Sequence, residues 1–115
     1  MAAGIYDIVI DQGSRWSLNF TWLDSVGDPV DLTGYTFEAQ VRTTYAENGG
    51  ELLASMTSTI DDIEGGVFTL SLTATVTEDL PAGAWVWDVE ANPGDDDDIE
   101  RLVMGRVVVR GEVTR

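Results

Sequence analysis

Trp16, Leu18, Phe20 and Trp22 alternate with Ser17, Asn19 and Thr21, the period of two that turns one face of a strand toward a core and the other toward water. A second alternation follows the Asp- and Gly-rich turn Asp24 to Pro29, with Tyr35, Phe37, Ala39 and Val41 set against Thr36, Glu38, Gln40 and Arg42. A polar loop from Thr43 ends in the breaker Asn48-Gly49-Gly50 and leads into a weaker strand, Leu52 to about Ile60. The turn chemistry of Asp61 to Gly66 then precedes Phe68, Leu70 and Leu72 in alternation with Thr69, Ser71 and Thr73, which predicts an antiparallel hairpin. Trp85, Trp87 and Val89 mark one face of a further strand and Val86, Asp88 and Glu90 the other, interrupted by Asn92-Pro93-Gly94 and four aspartates. The closing segment Ile99 to Val113 is rich in β-branched residues, with Gly105 as the position of a bulge or a close approach. Ile5 to Ile10 supplies a first strand.

One helical turn is expected near 75–80, capped by Thr75 or Thr77 and stopped by Pro81 and Gly83. Helices long enough to cross between parallel strands are missing, so the pattern predicts an all-β chain. The expected architecture is a single antiparallel β-sandwich of about seven or eight short strands, one domain over residues 1–115.

Composition narrows the chemistry. Among 115 residues there is no Cys, His or Lys, and 21 acidic side chains face 6 basic ones for a net charge of -15. Thiol and imidazole nucleophiles, a Ser-His-Asp triad, disulfides and ordinary zinc ligation are thereby excluded. A surface this acidic repels polyanions, so nucleic acid is not an expected partner. No apolar run approaches the roughly 18 residues of a membrane span, and a soluble chain without a signal peptide is expected. The charge does not signal disorder, because hydrophobic residues make up 43% of the chain. Carboxylate pairs suited to glycoside hydrolysis arise by chance among so many acids and nothing selects one. No catalytic, cofactor or metal-ligating residue is therefore assigned, and no enzyme is expected.

Three features admit a binding role beside a bland one. The Trp residues fall in phase with Leu18, Phe20 and Val89, so their spacing reads as core rather than as sugar-stacking platforms. Tyr6 and Tyr45 lie outside the alternation and are expected to be exposed, which makes them the aromatics available to a host-surface glycan. The run Asp95, Asp96, Asp97 and Asp98 is a weak calcium candidate. Adjacent aspartates cannot all aim at one centre, and a solvated loop tip that discourages edge pairing is the simpler reading; Asp61, Asp62 and Glu64 read the same way. The last segment differs in sign, since residues 1–100 carry net -18 and residues 101–115 carry net +3. If Val103, Val107 and Val109 point inward, Leu102, Met104, Arg106, Val108 and Arg110 form an apolar face with fixed cations, a composition suited to a protein interface. The alternative is that an acidic neighbouring strand and the fold's own loops cover that face.

Gln12-Gly13-Ser14-Arg15-Trp16 leading into Phe20-Thr21-Trp22, then Gly27-Asp28-Pro29-Val30-Asp31-Leu32-Thr33-Gly34-Tyr35, together resemble a tailed-phage family, as do Gly66 to Leu72, Leu80 to Glu90 and Leu102 to Val107. The family is the LtfC/Gp6-like β-sandwich domain of phage minor tail, tail-fibre and baseplate proteins, and the resemblance spans almost the whole chain. It implies a structural component of a bacteriophage virion, assembled with other virion proteins in symmetric copies. The tail is favoured over the head, and synthesis takes place in the host cytoplasm. A chain ending at Arg115 departs from family members that head a longer fibre, which implies a stand-alone tail, tail-tip or baseplate subunit. The alternatives are a capsid decoration protein and a carbohydrate-binding module. Within the motif, Pro29 fixes φ, Asp31 is placed to accept backbone hydrogen bonds from Leu32 to Gly34, and Gly34 allows the bend before Tyr35. These are folding roles.

Overall fold

The computed structural model describes residues 4–45 and 49–111. Its strands are β1 (Gly4–Ile5), β2 (Ile8–Asp11), β3 (Trp16–Thr21), β4 (Thr36–Arg42), β5 (Leu52–Asp62), β6 (Val67–Leu72), β7 (Gly83–Asn92) and β8 (Glu100–Arg110). The all-β expectation holds.

The strands form one continuous eight-stranded sheet in the order β1-β8-β7-β4-β5-β6-β3, with β2 also on β8. Two separate antiparallel layers were expected; the difference comes from β5, which is 11 residues long. Its first half pairs with β4 and its second half with β6, so the sheet curls around it into a half-barrel with β1 and β3 at the two ends of the path. The sheet is also mixed. β1 and β2 run parallel to β8, whereas the β3–β6, β5–β6, β4–β5, β4–β7 and β7–β8 pairs are antiparallel. Strands from opposite ends of the chain have no tight turn between them to impose an antiparallel direction.

The expected first strand is broken at Tyr6-Asp7. Ile5 pairs with Met104 and Ile8 with Val107, so the register is the same on both sides of the break. Between them the Tyr6 N–H donates to the Met104 carbonyl at 2.9 Å. The Trp87 indole Nε1–H reaches up from the core to the Tyr6 carbonyl at 2.8 Å, and the Asp7 carboxylate takes the Arg106 N–H at 2.9 Å. This dip fits because position 105 is glycine; a Cβ there would lie 2.1 Å from the Tyr6 carbonyl oxygen. Gly105 is therefore the close approach, and the bulge lies elsewhere on β8.

A helical turn, α1 (Ala74–Glu78), precedes β7, but its cap is Thr73, whose hydroxyl accepts from the Val76 N–H at 3.3 Å. Thr77, one of the two expected caps, is instead buried and donates to the Ser14 carbonyl at 2.8 Å. Together with the Gln12 amide donating to the Leu80 carbonyl at 2.7 Å, this ties α1 and its exit to the β2–β3 turn. A second, 3₁₀ turn covers Asp96–Asp98.

The core is aromatic where the two arms of the curl face each other. Phe68 of β6 stacks on Phe37 of β4 at 4.0 Å between centroids and on Phe20 of β3 at 5.2 Å. Trp87 and Phe68 are each 1% exposed. Trp22 meets Tyr35 edge-on at 5.2 Å. Beneath them Asp31 holds the turn as the motif suggests, accepting the Thr33 N–H at 2.8 Å and its hydroxyl at 2.6 Å, with Gly34 at φ 80°.

Candidate functional site

The ends of the curled sheet do not meet. Among the described residues β3 has β6 on one side and no strand on the other, and β1 is the opposite terminus of the strand path. Where the two termini face each other a cleft of about 420 Å³ opens, walled by Phe20, Trp22 and Leu23 on one arm and by Leu102 and Val103 on the other, with Phe68 among its lining residues. Glu100 and Arg101 stand at its rim. At the far end of the seam the Gln12–Leu80 and Thr77–Ser14 bonds draw the chain together, so the opening is confined to the end that carries the 22–35, 61–66 and 93–99 loops.

Leu102 reaches this cleft through a bulge. Val89 pairs with Val103 but Glu90 pairs with Arg101, leaving Leu102 as the extra residue on β8. The insertion shifts the alternation by one position, so Leu102 and Val103 both pack against the core cluster. The expected interface face is corrected accordingly: Leu102 leaves it. Met104, Arg106, Val108 and Arg110 remain on the other side of β8, with Arg106, Val108 and Arg110 exposed. That strand is interior to the sheet, flanked by β7 on one edge and by β1 and β2 on the other, and it offers only its face.

The acidic-neighbour alternative applies to part of that face. Arg110 is engaged twice by Asp11 of β2, at 2.6 and 3.0 Å. Arg101 pairs with Asp88 at 3.1 Å. The fold's own loop borders another part: Tyr45 lines a shallow hollow together with Met104 and Arg106 and carries the Arg101 guanidinium 5.6 Å from its ring centroid. Tyr45 is therefore half-buried rather than exposed as expected, because a cation stacks on it. Tyr6 is exposed at 49%.

The aspartate run turns inward upon itself. Asp95 caps the 3₁₀ turn by accepting the Asp97 N–H at 3.0 Å, and Asp96 accepts from the Asn92 amide at 3.2 Å. Among the described residues no three acidic side chains converge on a common point suited to a metal ion. Asp61 is also committed, taking the Thr69 hydroxyl at 2.5 Å and the Asn19 amide at 3.3 Å. No helix among the described residues is long and apolar enough to cross a membrane.

Two carboxylates are shifted in opposite directions. The Arg110 hydrogen bond holds the Asp11 carboxyl below the ordinary 3.8. Desolvation pushes Asp88 above 3.8 despite the nearby Arg101 charge. Asp11 therefore adds stability above its unfolded pKa that is lost as pH falls through its lower folded value, whereas ionisation of Asp88 weakens the fold as pH rises through its raised one. Carbon-detected NMR titration is expected to place the two carboxyls on opposite sides of 3.8, and Arg110→Ala should return Asp11 to the ordinary range while leaving Asp88 in place.

The seam residues were not legible as a group. Leu23 follows the end of one alternation at Trp22, Val103 begins another, and nothing in the apolar run Leu102-Val103-Met104 announces a bulge. A crystal structure of Listeria monocytogenes InlP is similar to this chain at a TM-score of 0.48 and 13% identity, over 91% of this chain and 26% of that one. No protein-family model matches the chain, and no curated protein matches it.

Proposed function

We propose that this chain is a non-enzymatic structural subunit of a bacteriophage particle, a minor tail, tail-tip or baseplate component that serves as a docking module in a symmetric assembly. The observation that carries the docking role is the apolar cleft at the seam, set beside the unpaired edge of β3. Apolar walls next to unsatisfied strand hydrogen-bonding groups are what a protein surface retains when another protein is to cover it. The phage part of the reading rests on the sequence resemblance, and the docking part on this seam. Partners would be other virion proteins or further copies of the chain, held by complementary surfaces repeated around a rotation axis.

A capsid decoration protein would use the same surfaces on a head instead of a tail. The carbohydrate-binding alternative has less support, since Arg101 already occupies one face of Tyr45. Mass spectrometry of purified particles separated into heads and tails is expected to find the chain in the tail fraction at a fixed ratio to the other tail proteins. Recovery with heads would select the decoration role, and absence from both fractions would end the virion reading.

A further inference from the structure

The edge of β3 has a definite hydrogen-bonding phase. The Trp22 N–H donates to the Gly66 carbonyl at 2.8 Å, in line with the β3–β6 register. In an antiparallel ladder successive residues point their backbone groups to alternate sides, so Trp16, Leu18 and Phe20 face β6 while Ser17, Asn19 and Thr21 turn theirs to the open edge. Side chains alternate with the same period, perpendicular to the sheet. Trp16, Leu18 and Phe20 lean on the core, and Ser17, Asn19 and Thr21 are exposed. A strand added here would continue the same division, with one face over the cleft and one face toward water.

Charge determines what that strand should look like. The loops at this end, residues 22–35, 61–66 and 93–99, contain ten acidic residues and no basic one. Asp61 reaches over the outer face of β3, bonded to Asn19 and Thr69. The nearby cation, Arg101, is already matched by Asp88 at 3.1 Å. At the other end the 12–15, 43–51 and 73–82 connections hold four acidic residues and Arg15, so the stronger field belongs to the open end of the seam. The cleft's 420 Å³ falls within the roughly 300–1,000 Å³ of ligand sites and has room for large apolar side chains.

We infer that the seam takes an extended, basic segment of a partner protein, which adds as a strand to the free edge of β3. Its alternate positions are bulky and apolar and seat between Trp22, Leu23, Leu102 and Val103; its intervening positions are Arg or Lys and face Asp61 and the acidic loops. Main-chain bonds to Ser17, Asn19 and Thr21 give the grip, the cleft selects the apolar positions, and the field excludes acidic segments. This rests on the docking reading above and names the partner class of that site.

The test uses the intact chain and two acetylated peptides of about nine residues, one alternating Val with Arg around a central Phe and its twin with Glu for Arg. Amide NMR is expected to show the Arg peptide shifting Ser17, Asn19, Thr21 and Leu23, with affinity at least roughly tenfold above the Glu peptide and falling as salt is raised. Leu23→Asp, at a rim position 46% exposed, should weaken the Arg peptide at least roughly tenfold while leaving Tm unchanged. Equal binding of the two peptides, shifts confined to other strands, or no shift at about 1 mM peptide would overturn the inference. A dimer in sedimentation equilibrium with those same β3 amides protected would also overturn it, by making a second copy the occupant. Particle mass spectrometry separates this from the virion reading: a chain present in tails but blind to the Arg peptide loses only the seam assignment, and a chain that binds the peptide but is missing from particles loses only the virion one.

Discussion

Phe68→Ala is expected to lower the stability of the fold by about 3–5 kcal/mol. The ring is 1% exposed and stacks between Phe37 at 4.0 Å and Phe20 at 5.2 Å, so its removal opens a void that neither neighbour can fill without leaving its own strand. The three rings belong to β4, β6 and β3, which span the curl of the sheet from its middle to one end. Phe68 is thus the side chain that holds the β3 arm down on the rest. Against a total of about 5–15 kcal/mol for a typical domain, the loss is a large fraction of what keeps the chain folded. In urea the midpoint should move down with the m-value unchanged, and Phe68→Leu should lose less than half as much, because it keeps most of the buried volume. A loss below about 1.5 kcal/mol for the alanine variant would mean that the aromatic stack does not bind the two arms together.

The strands were legible because alternation is a local signal. Trp16 to Thr21, Phe37 to Arg42, Phe68 to Leu72 and Trp87 to Ala91 place their side chains as the period of two requires. What stayed hidden depends on pairing, which a single strand's pattern does not encode. β1 and β2 run parallel to β8 although their partners lie 99 residues further along the sequence, Gly4 against Val103 and Ile8 against Val107. The curl is set by β5, a single uninterrupted strand segment whose two halves pair with different strands. One inserted residue at Leu102 moved that side chain from the expected interface into the cleft. The Tyr45 position depends on Arg101, 56 residues away in the chain, and no local pattern carries that distance.

The charge gradient changes meaning in the same way. Along the chain the acidic body and arginine-bearing end look like two poles. In the fold Arg101 and Arg110 lie at opposite ends of β8 and are each matched by an aspartate. The polarity that survives runs along the barrel, from the three acidic loops at the open seam to the turns at the closed end. Recognition by charge is therefore expected at the loops, where no counter-ion is built in, more than along β8.

Gly105→Ala is expected to destabilise the fold by about 3 kcal/mol or more, the sum of overpacking and lost hydrogen bonds. The added Cβ would sit 2.1 Å from the Tyr6 carbonyl oxygen and 2.7 Å from its carbon. Backbone on the neighbouring strand cannot rotate away as a flexible side chain would, so Tyr6-Asp7 must lift off β8. Lifting breaks the Trp87 indole bond to Tyr6 at 2.8 Å and the Arg106 N–H bond to Asp7 at 2.9 Å, and leaves a buried indole donor without its acceptor. Gly27→Ala isolates the other way a glycine can matter: its φ is 89° with nothing within 4 Å of the added atom, so the cost is the left-handed backbone alone, about 1–2 kcal/mol. Gly105 does not occupy that region, and its cost is steric and polar. Urea melts of both variants should therefore rank Gly105→Ala as the more damaging, with red-shifted tryptophan fluorescence as water reaches Trp87, and with faster amide exchange at Tyr6 and Arg106. If Gly105→Ala stays within about 1 kcal/mol of the parent, the Tyr6-Asp7 dip is not fixed by the missing side chain, and β1 must be able to reseat on β8 in another way.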